Sequence, residues 1–245
     1  MKRLVKILGI VFGSILLVGV VGFILLYNFG LSGMRNNDEA KEGQIKVACV
    51  GDSITYGHGI PVWSKNNYPA QLGELLGEGY CVSNFGVSGT TVQESGDKPY
   101  TSYDVYKDAL SFDADILVFM IGSNDSKPEN WKGIDVFKEE YIKLLNSFLK
   151  NNSDCKVYLC SIAYAYDDDE ADSITNFDIQ PKYVTEIAGF ITAYAEEMNY
   201  GYIDVYSLTA NNRAYISSDN VHPTKEGAYE IASLVKDKIS VKPLE

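Results

Sequence analysis

Val47-Ala-Cys-Val-Gly-Asp-Ser-Ile-Thr-Tyr-Gly57 sets an apolar run directly against a turn that carries a serine. The run ends at Gly51 and Asp52, and the residues after Ser53 lead away from it. A buried parallel strand presents a small nucleophile at the mouth of a sheet in this manner. Ser53 is therefore the candidate nucleophile. A serine that transfers acyl groups also needs a base within hydrogen-bond reach, an orienter for that base, and donors aimed at the developing oxyanion.

Outward from this stretch, strand-like and helix-like patterns alternate. Apolar runs rich in β-branched residues fall at 45–50, 80–85, 116–121, 156–162 and 202–205, and helical periodicity falls between and after them at 68–76, 103–110, 136–150, 181–198 and 225–239. Strands alternating with helices predict an α/β fold in which a parallel sheet is covered on both faces. Ligands of such sheets sit beyond the carboxyl ends of the strands, at a switch in strand order.

The amino end has a different character. Lys2, Arg3 and Lys6 precede 7–26, which carries no charge. At about 1.5 Å per residue this run matches the roughly 30 Å of a bilayer core. It exceeds the apolar region of a cleavable signal and exits through Tyr27-Asn-Phe-Gly30, so an uncleaved membrane helix is expected, with secretion after cleavage as the alternative. Leu31-Ser-Gly-Met34 resembles a lipoprotein box with Met in place of the modified cysteine, and without a thiol no lipid is attached. The basic tip should stay cytoplasmic, placing the remainder outside the membrane. Gly9 and Gly13 have the spacing of a helix-pairing motif, but Gly is common in membrane helices, and the oligomeric state stays open. Residues 1–28 are thus expected to form tip and anchor, 29–43 a polar linker, and 44–245 one catalytic domain.

Composition narrows the partners. With 46% hydrophobic and 22% charged residues in 245, the chain can bury one substantial core. The net charge of −12 includes the three cations of the basic tip, so the body is more acidic still. Phosphate backbones would be repelled, which argues against nucleic acid. Cys49, Cys81, Cys155 and Cys160 form no CxxC pair and have no metal-ligand spacing with either histidine, so no metal and no cofactor is expected. Cys49 and Cys81 fall in neighbouring predicted strands, where a disulfide is conceivable; free buried thiols are the simpler expectation. The acidic run Asp167-Asp-Asp-Glu-Ala-Asp172 lacks the order and glycine of an EF-hand and reads as a solvated loop.

The chain has two histidines. His58 stands inside the turn after Ser53, where it can line the mouth but is poorly placed to reach the hydroxyl. His222 lies in Ser218-Asp-Asn-Val-His-Pro-Thr224, three residues after Asp219 and just before the last helix, for which Thr224 is the expected cap. One tight loop can then set a carboxylate against one ring nitrogen and leave the other for the serine. Oxyanion donors are sought in two loops past strand ends. Asn84-Phe-Gly-Val-Ser-Gly-Thr-Thr91 carries Gly86 and Gly89, whose backbone can approach a ligand, and Gly122-Ser-Asn-Asp125 presents the Asn124 amide.

These four blocks together resemble the SGNH hydrolases, also called the GDSL esterase and lipase family: Gly51-Asp-Ser-Ile-Thr55, Gly86 within Asn84-Phe-Gly86, Gly122-Ser-Asn-Asp125, and Asp219-Asn-Val-His222. The resemblance covers 45–239, and it implies a three-layer α/β/α sandwich with a flavodoxin-like, five-stranded parallel sheet. It further implies Ser53 as nucleophile, His222 as base, Asp219 as orienter, and an oxyanion hole from the Ser53 N–H, the Gly86 N–H and the Asn124 side chain. Asp52 and Asp125 are expected to brace loops, with Asp52 close enough to substrate to touch it.

Tyr56, Trp63, Tyr68, Trp131, Tyr164 and Tyr166 are expected to crowd the mouth, and of these Tyr56, Trp131 and Tyr164 are the candidate substrate-binding rings. Aromatic rims suit sugar faces. Asn124-Asp-Ser-Lys-Pro-Glu-Asn-Trp131 also resembles the third block of carbohydrate O-acetyl esterases, and that resemblance implies hydrolysis of short acyl esters, O-acetyl above all, on small or polymeric saccharides. A lysophospholipase or thioesterase would use the same blocks with a greasier channel, and a saccharide-binding surface protein would keep the fold without turnover.

Overall fold

The computed structural model describes residues 2–29, 37, 39–150, 152–167 and 177–239. A first helix, α1 (Lys2–Phe29), is followed by β1 (Ile45–Gly51), α2 (Ser53–Tyr56), α3 (Trp63–Asn66), α4 (Tyr68–Leu76) and β2 (Tyr80–Gly86). Then come α5 (Asp104–Ser111), β3 (Ile116–Met120), α6 (Ile134–Leu149), β4 (Lys156–Cys160), α7 (Pro181–Glu197), β5 (Gly201–Ile203), α8 (Val205–Ala210) and α9 (Lys225–Ile239). The five strands form one parallel sheet in the order β2-β1-β3-β4-β5. That is the flavodoxin-like order, whose switch point lies between β1 and β3.

Alternation along β1 divides the interior into two layers. Ala48 and Val50 join Phe85, Phe119, Tyr141 and Ile187 on the side covered by α5, α6 and α7. Val47 and Cys49 join Leu72, Val118, Ile231 and Val235 on the side covered by α4 and α9. A strand buried on both faces must be apolar at every position, which is why the runs at β1 and β3 are continuous rather than alternating.

The capping residues are local. Asn67 accepts the Ala70 N–H at 2.8 Å to start α4, and Thr224 accepts the Gly227 N–H at 3.1 Å to start α9. The last two strands end earlier than the apolar runs suggest. Val205 opens α8 instead of closing β5, because Asp204 accepts the Ser207 N–H at 2.9 Å and turns the chain into a helix. All four cysteines are free. Cys49 stands opposite Asn84 and Cys81 opposite Lys46, so the two lie too far apart along the ladder to bridge. Burial pushes the Cys49 thiol up to about 12, leaving it an inert apolar group.

In α1 the backbone is helical throughout its range. Among the described residues no helix is long and apolar enough to cross a membrane.

Gly51 and Gly86 are partners across β1 and β2 at the carboxyl edge. A Cβ on Gly51 would overlap Thr55 and the Met120 carbonyl, and one on Gly86 would overlap the Tyr56 amide nitrogen. Both glycines let α2 fold flat onto the strand ends. Gly86→Ala therefore forces backbone against backbone, where no side chain can yield. A loss of about 1–3 kcal/mol or more is expected in urea unfolding, and unchanged stability would contradict this packing.

Candidate active site

Ser53 is the first residue of α2, directly beyond β1, and it is 7% exposed. Asp52 caps that turn, its Oδ1 accepting the Ile54 N–H at 3.0 Å. The loop before α9 comes to meet it. Asp219 Oδ1 accepts the N–H groups of Val221 at 3.0 Å and His222 at 2.9 Å, a turn closed by its own side chain. Arg213 braces the same loop by donating to the Ile216 and Ser217 carbonyls and to Asn220 Oδ1. Asn220 needs this support because its φ of 67° is left-handed.

Within this frame Asp219 Oδ2 lies 2.8 Å from His222 Nδ1, and His222 Nε2 lies 2.9 Å from Ser53 Oγ. Burial alone would raise the Asp219 carboxyl, yet the hydrogen bond and charge of His222 and the backbone N–H hold it well below the usual carboxylate range. An ionised Asp219 fixes the proton on Nδ1, so Nε2 is left to accept from the serine hydroxyl. Such a chain can withdraw a proton from a hydroxyl and stabilise the resulting imidazolium.

The oxyanion donors require a correction. The Gly86 N–H donates to Asn84 Oδ1 at 2.8 Å and the residue is packed under Tyr56, so it does not face the cavity. Gly89, the other glycine of that loop, lines the cavity instead. Its φ of 84° is one that glycine alone adopts freely, and its N–H forms no hydrogen bond among the described residues. The Ser53 N–H likewise has none. Asn124 also lines the cavity, and its Nδ2 donates to the Thr90 carbonyl at 3.1 Å, which directs the second amide hydrogen elsewhere.

Two clasps hold these loops. Asp125 Oδ2 accepts the Val92 N–H at 2.9 Å, and Oδ1 accepts the Gln93 N–H at 2.9 Å and Gln93 Nε2 at 3.3 Å. Asn130 Nδ2 donates to the Asn124 carbonyl at 3.0 Å and to Asp97 Oδ1 at 2.9 Å.

The cavity between the loops has a volume of about 190 Å³. Its walls are not the expected aromatic ones. Tyr56, Trp63 and Tyr68 are buried core residues, Trp131 stacks on Tyr183 with centroids 4.5 Å apart, and Tyr164 packs edge-on against Tyr166 and Tyr206. None of Tyr56, Trp131 and Tyr164 lines it, nor does Asp52, which is buried beneath Ser53. The structure puts His58, Phe177, Ile179 and Val221 there instead, with Lys98 and Lys127. The His58 ring is 4.6 Å from that of His222, and Phe177 stands edge-on to His222 at 5.1 Å. Burial lowers the His58 pKa and the charge of His222 lowers it further, with Asp219 opposing. His58 had a sequence signal in its nearness to Ser53. Phe177 had none, because it belongs to no motif block; of the acidic run 167–172 only Asp167 lies within the described residues. Among the described residues no three His, Cys, Asp or Glu side chains gather closely enough to share a metal ion.

Comparison with known proteins adds to this geometry. The model of the GDSL-like lipase/acylhydrolase family matches residues 49–229. An acetylxylan esterase of Xylanibacter ruminicola is 36% identical over 213 residues, which is 80% of this chain but 43% of that protein. The chain thus spans less than half the length of that relative. Among solved structures, a carbohydrate acetylesterase from Sinorhizobium meliloti superposes with a TM-score of 0.65 at 20% identity, covering 80% of this chain and 99% of that one. A lipase/acylhydrolase from Enterococcus faecalis gives 0.65 at 21% identity, covering 82% and 100%. At such identities the two structures speak for the fold.

The clasp at Asp125 has a pH signature. Burial raises its carboxyl to about 7, against the pull of its three N–H donors. Its folded pKa therefore lies above the value near 4 of an unfolded chain. The folded state holds the proton more tightly, so the contribution of Asp125 to stability is greatest below pH ~4, declines up to pH ~7 and is level above it. Asp125→Asn removes that slope. In urea unfolding from pH 4 to 7, wild type is expected to lose stability relative to the variant; a constant difference would refute the assignment.

Proposed function

This chain belongs to the GDSL-like lipase/acylhydrolase family, and from that premise we propose that it is a serine carboxylic ester hydrolase that removes short acyl groups, chiefly O-acetyl, from saccharides. The observation that carries the reading is the continuous chain from Asp219 through His222 to the Ser53 hydroxyl, opening on a small cavity with uncommitted donors. The acetylxylan esterase likeness supports the acyl group and the acceptor class. So does cavity size, since about 190 Å³ is less than the ~300–1,000 Å³ of pockets that hold drug-sized ligands and leaves little room for a long acyl chain.

In the proposed reaction His222 Nε2 takes the Ser53 proton as Oγ attacks the ester carbonyl. The oxyanion forms against the Ser53 and Gly89 N–H groups and the Asn124 amide. The imidazolium gives its proton to the departing sugar oxygen as the C–O bond breaks, leaving an acyl-serine. Water, deprotonated by the same imidazole, attacks that ester and restores the Ser53 hydroxyl. Asp219 stabilises the imidazolium at both stages and is not itself protonated.

We place the chain on a membrane, with α1 as its anchor and the hydrolase outside. The basic tip and the uncharged run of 7–26 support this.

Ser53→Ala is expected to abolish hydrolysis of p-nitrophenyl acetate. Asp219→Asn, which favours the wrong tautomer, should lower kcat about 10⁴-fold, and Asn124→Ala about 10²–10³-fold with little change in KM. Full activity in Ser53→Ala would end this reading. The full chain should remain in the membrane pellet through alkaline carbonate extraction, and its release would refute the anchor.

A further inference from the structure

The cavity is cationic in a protein that is not. The chain has 33 acidic against 21 basic residues, yet the lining of the cavity among the described residues includes Lys98 and Lys127 and no Asp or Glu. Both ammonium groups are without an ion pair or hydrogen bond among the described residues. The neighbouring carboxylates are engaged elsewhere: Asp97 accepts from Asn130 at 2.9 Å, Glu94 from Thr101 at 2.8 Å, and Asp219 from His222. Asp52 lies beneath Ser53 and holds the Ile54 N–H.

The two lysines are also placed where the chemistry is. Lys98 lies across Gly89, its Nζ 3.3 Å from where a Cβ on that residue would stand. Lys127 directly follows the turn Ser123–Ser126 that carries Asn124. Each therefore belongs to one of the two loops that bear the oxyanion donors, held together by the Asp125 and Asn130 clasps. The lining also includes Phe177, Ile179, Val221 and the two imidazole rings.

We infer that the natural substrate is an anionic saccharide, an acylated sugar unit that carries a carboxylate or a sulfate or phosphate group bound by Lys98 and Lys127. This rests on the esterase reading above. An acetyl group has no charge, so the anion belongs to the sugar. Two like charges brought to one cavity in an otherwise acidic protein are repelled by each other and drawn to any anion that enters. The same two charges give a neutral sugar no comparable advantage.

The test compares wild type with a Lys98→Gln/Lys127→Gln double variant on three acetylated substrates. These are an O-acetyl glucuronoside, its methyl ester with the carboxylate masked, and an O-acetyl glucoside 6-sulfate. p-Nitrophenyl acetate, which has no anion, reports on wild-type esterase activity separately. Wild type is expected to favour the free acid over its methyl ester about tenfold or more in kcat/KM. The double variant should bring that ratio close to one, and the ratio is internal to each protein and insensitive to the active fraction. Preference for the acid assigns the anion to a carboxylate, and preference for the sulfate assigns it to an oxyacid ester. If wild type hydrolyses p-nitrophenyl acetate but treats acid, methyl ester and sulfate alike, or if the preference survives in the double variant, the inference is overturned and the esterase reading stands. Wild-type inactivity on p-nitrophenyl acetate would overturn the esterase reading itself and this inference with it.

Discussion

The backbone of Thr55 and Tyr56 lies directly on Gly86 at the end of β2, and the Thr55 side chain on Gly51 at the end of β1, each closer than a side chain on the glycine would allow. Asn84 Nδ2 donates to the Thr55 carbonyl at 2.8 Å and fastens the contact. This close approach aims the serine. It turns the chain within two residues of the strand, so that Ser53 stands over the switch point between β1 and β3 instead of continuing along the sheet. The rest of the site is arranged around a hydroxyl that the backbone has already fixed.

Electrostatic roles are separated by environment. Asp219 is partly open and hydrogen-bonded to an imidazole, which favours the charged form, while Asp125 is fully buried and pushed up to about 7 in spite of its donors. The carboxyl of Asp52 is also raised by burial, opposed by the Ile54 N–H. The same residue type thus serves as orienter in one loop and as structural acceptor in two others. Position relative to solvent and to His222 decides between them.

Much of this architecture can be read from the chain, for physical reasons that differ by feature. The order of strands and helices is visible because strands buried on both faces must be continuously apolar, and the ends of α4 and α9 are marked by caps one side chain wide. Short elements escape. The helices at Ser53–Tyr56, Trp63–Asn66 and Val205–Ala210 are too brief to show a period, and only the Asp52 and Asp204 caps hint at two of them. The choice between Gly86 and Gly89 was lost for a sharper reason. Both follow the same strand, and what separates them is the direction of an N–H, fixed by Asn84 Oδ1 in one case and by a left-handed φ in the other. The aromatic rim failed because tyrosine is abundant here and serves the core: Tyr56 and Tyr68 lie near Ser53 in sequence and are buried away from the cavity. The cationic wall was illegible because its two lysines are 29 residues apart in separate loops.

Ser53 and His222 meet across 169 residues of chain, one supplied by the first strand and the other by the loop before the last helix. Gln71 in α4 reaches the Lys225 carbonyl at the start of α9, 3.3 Å away, and the two helices cover the same face of the sheet. A chain made from its amino end therefore displays the nucleophile early and acquires its base only when the final helix docks. Until that helix packs onto the sheet, the Ser53 hydroxyl has no imidazole to accept its proton.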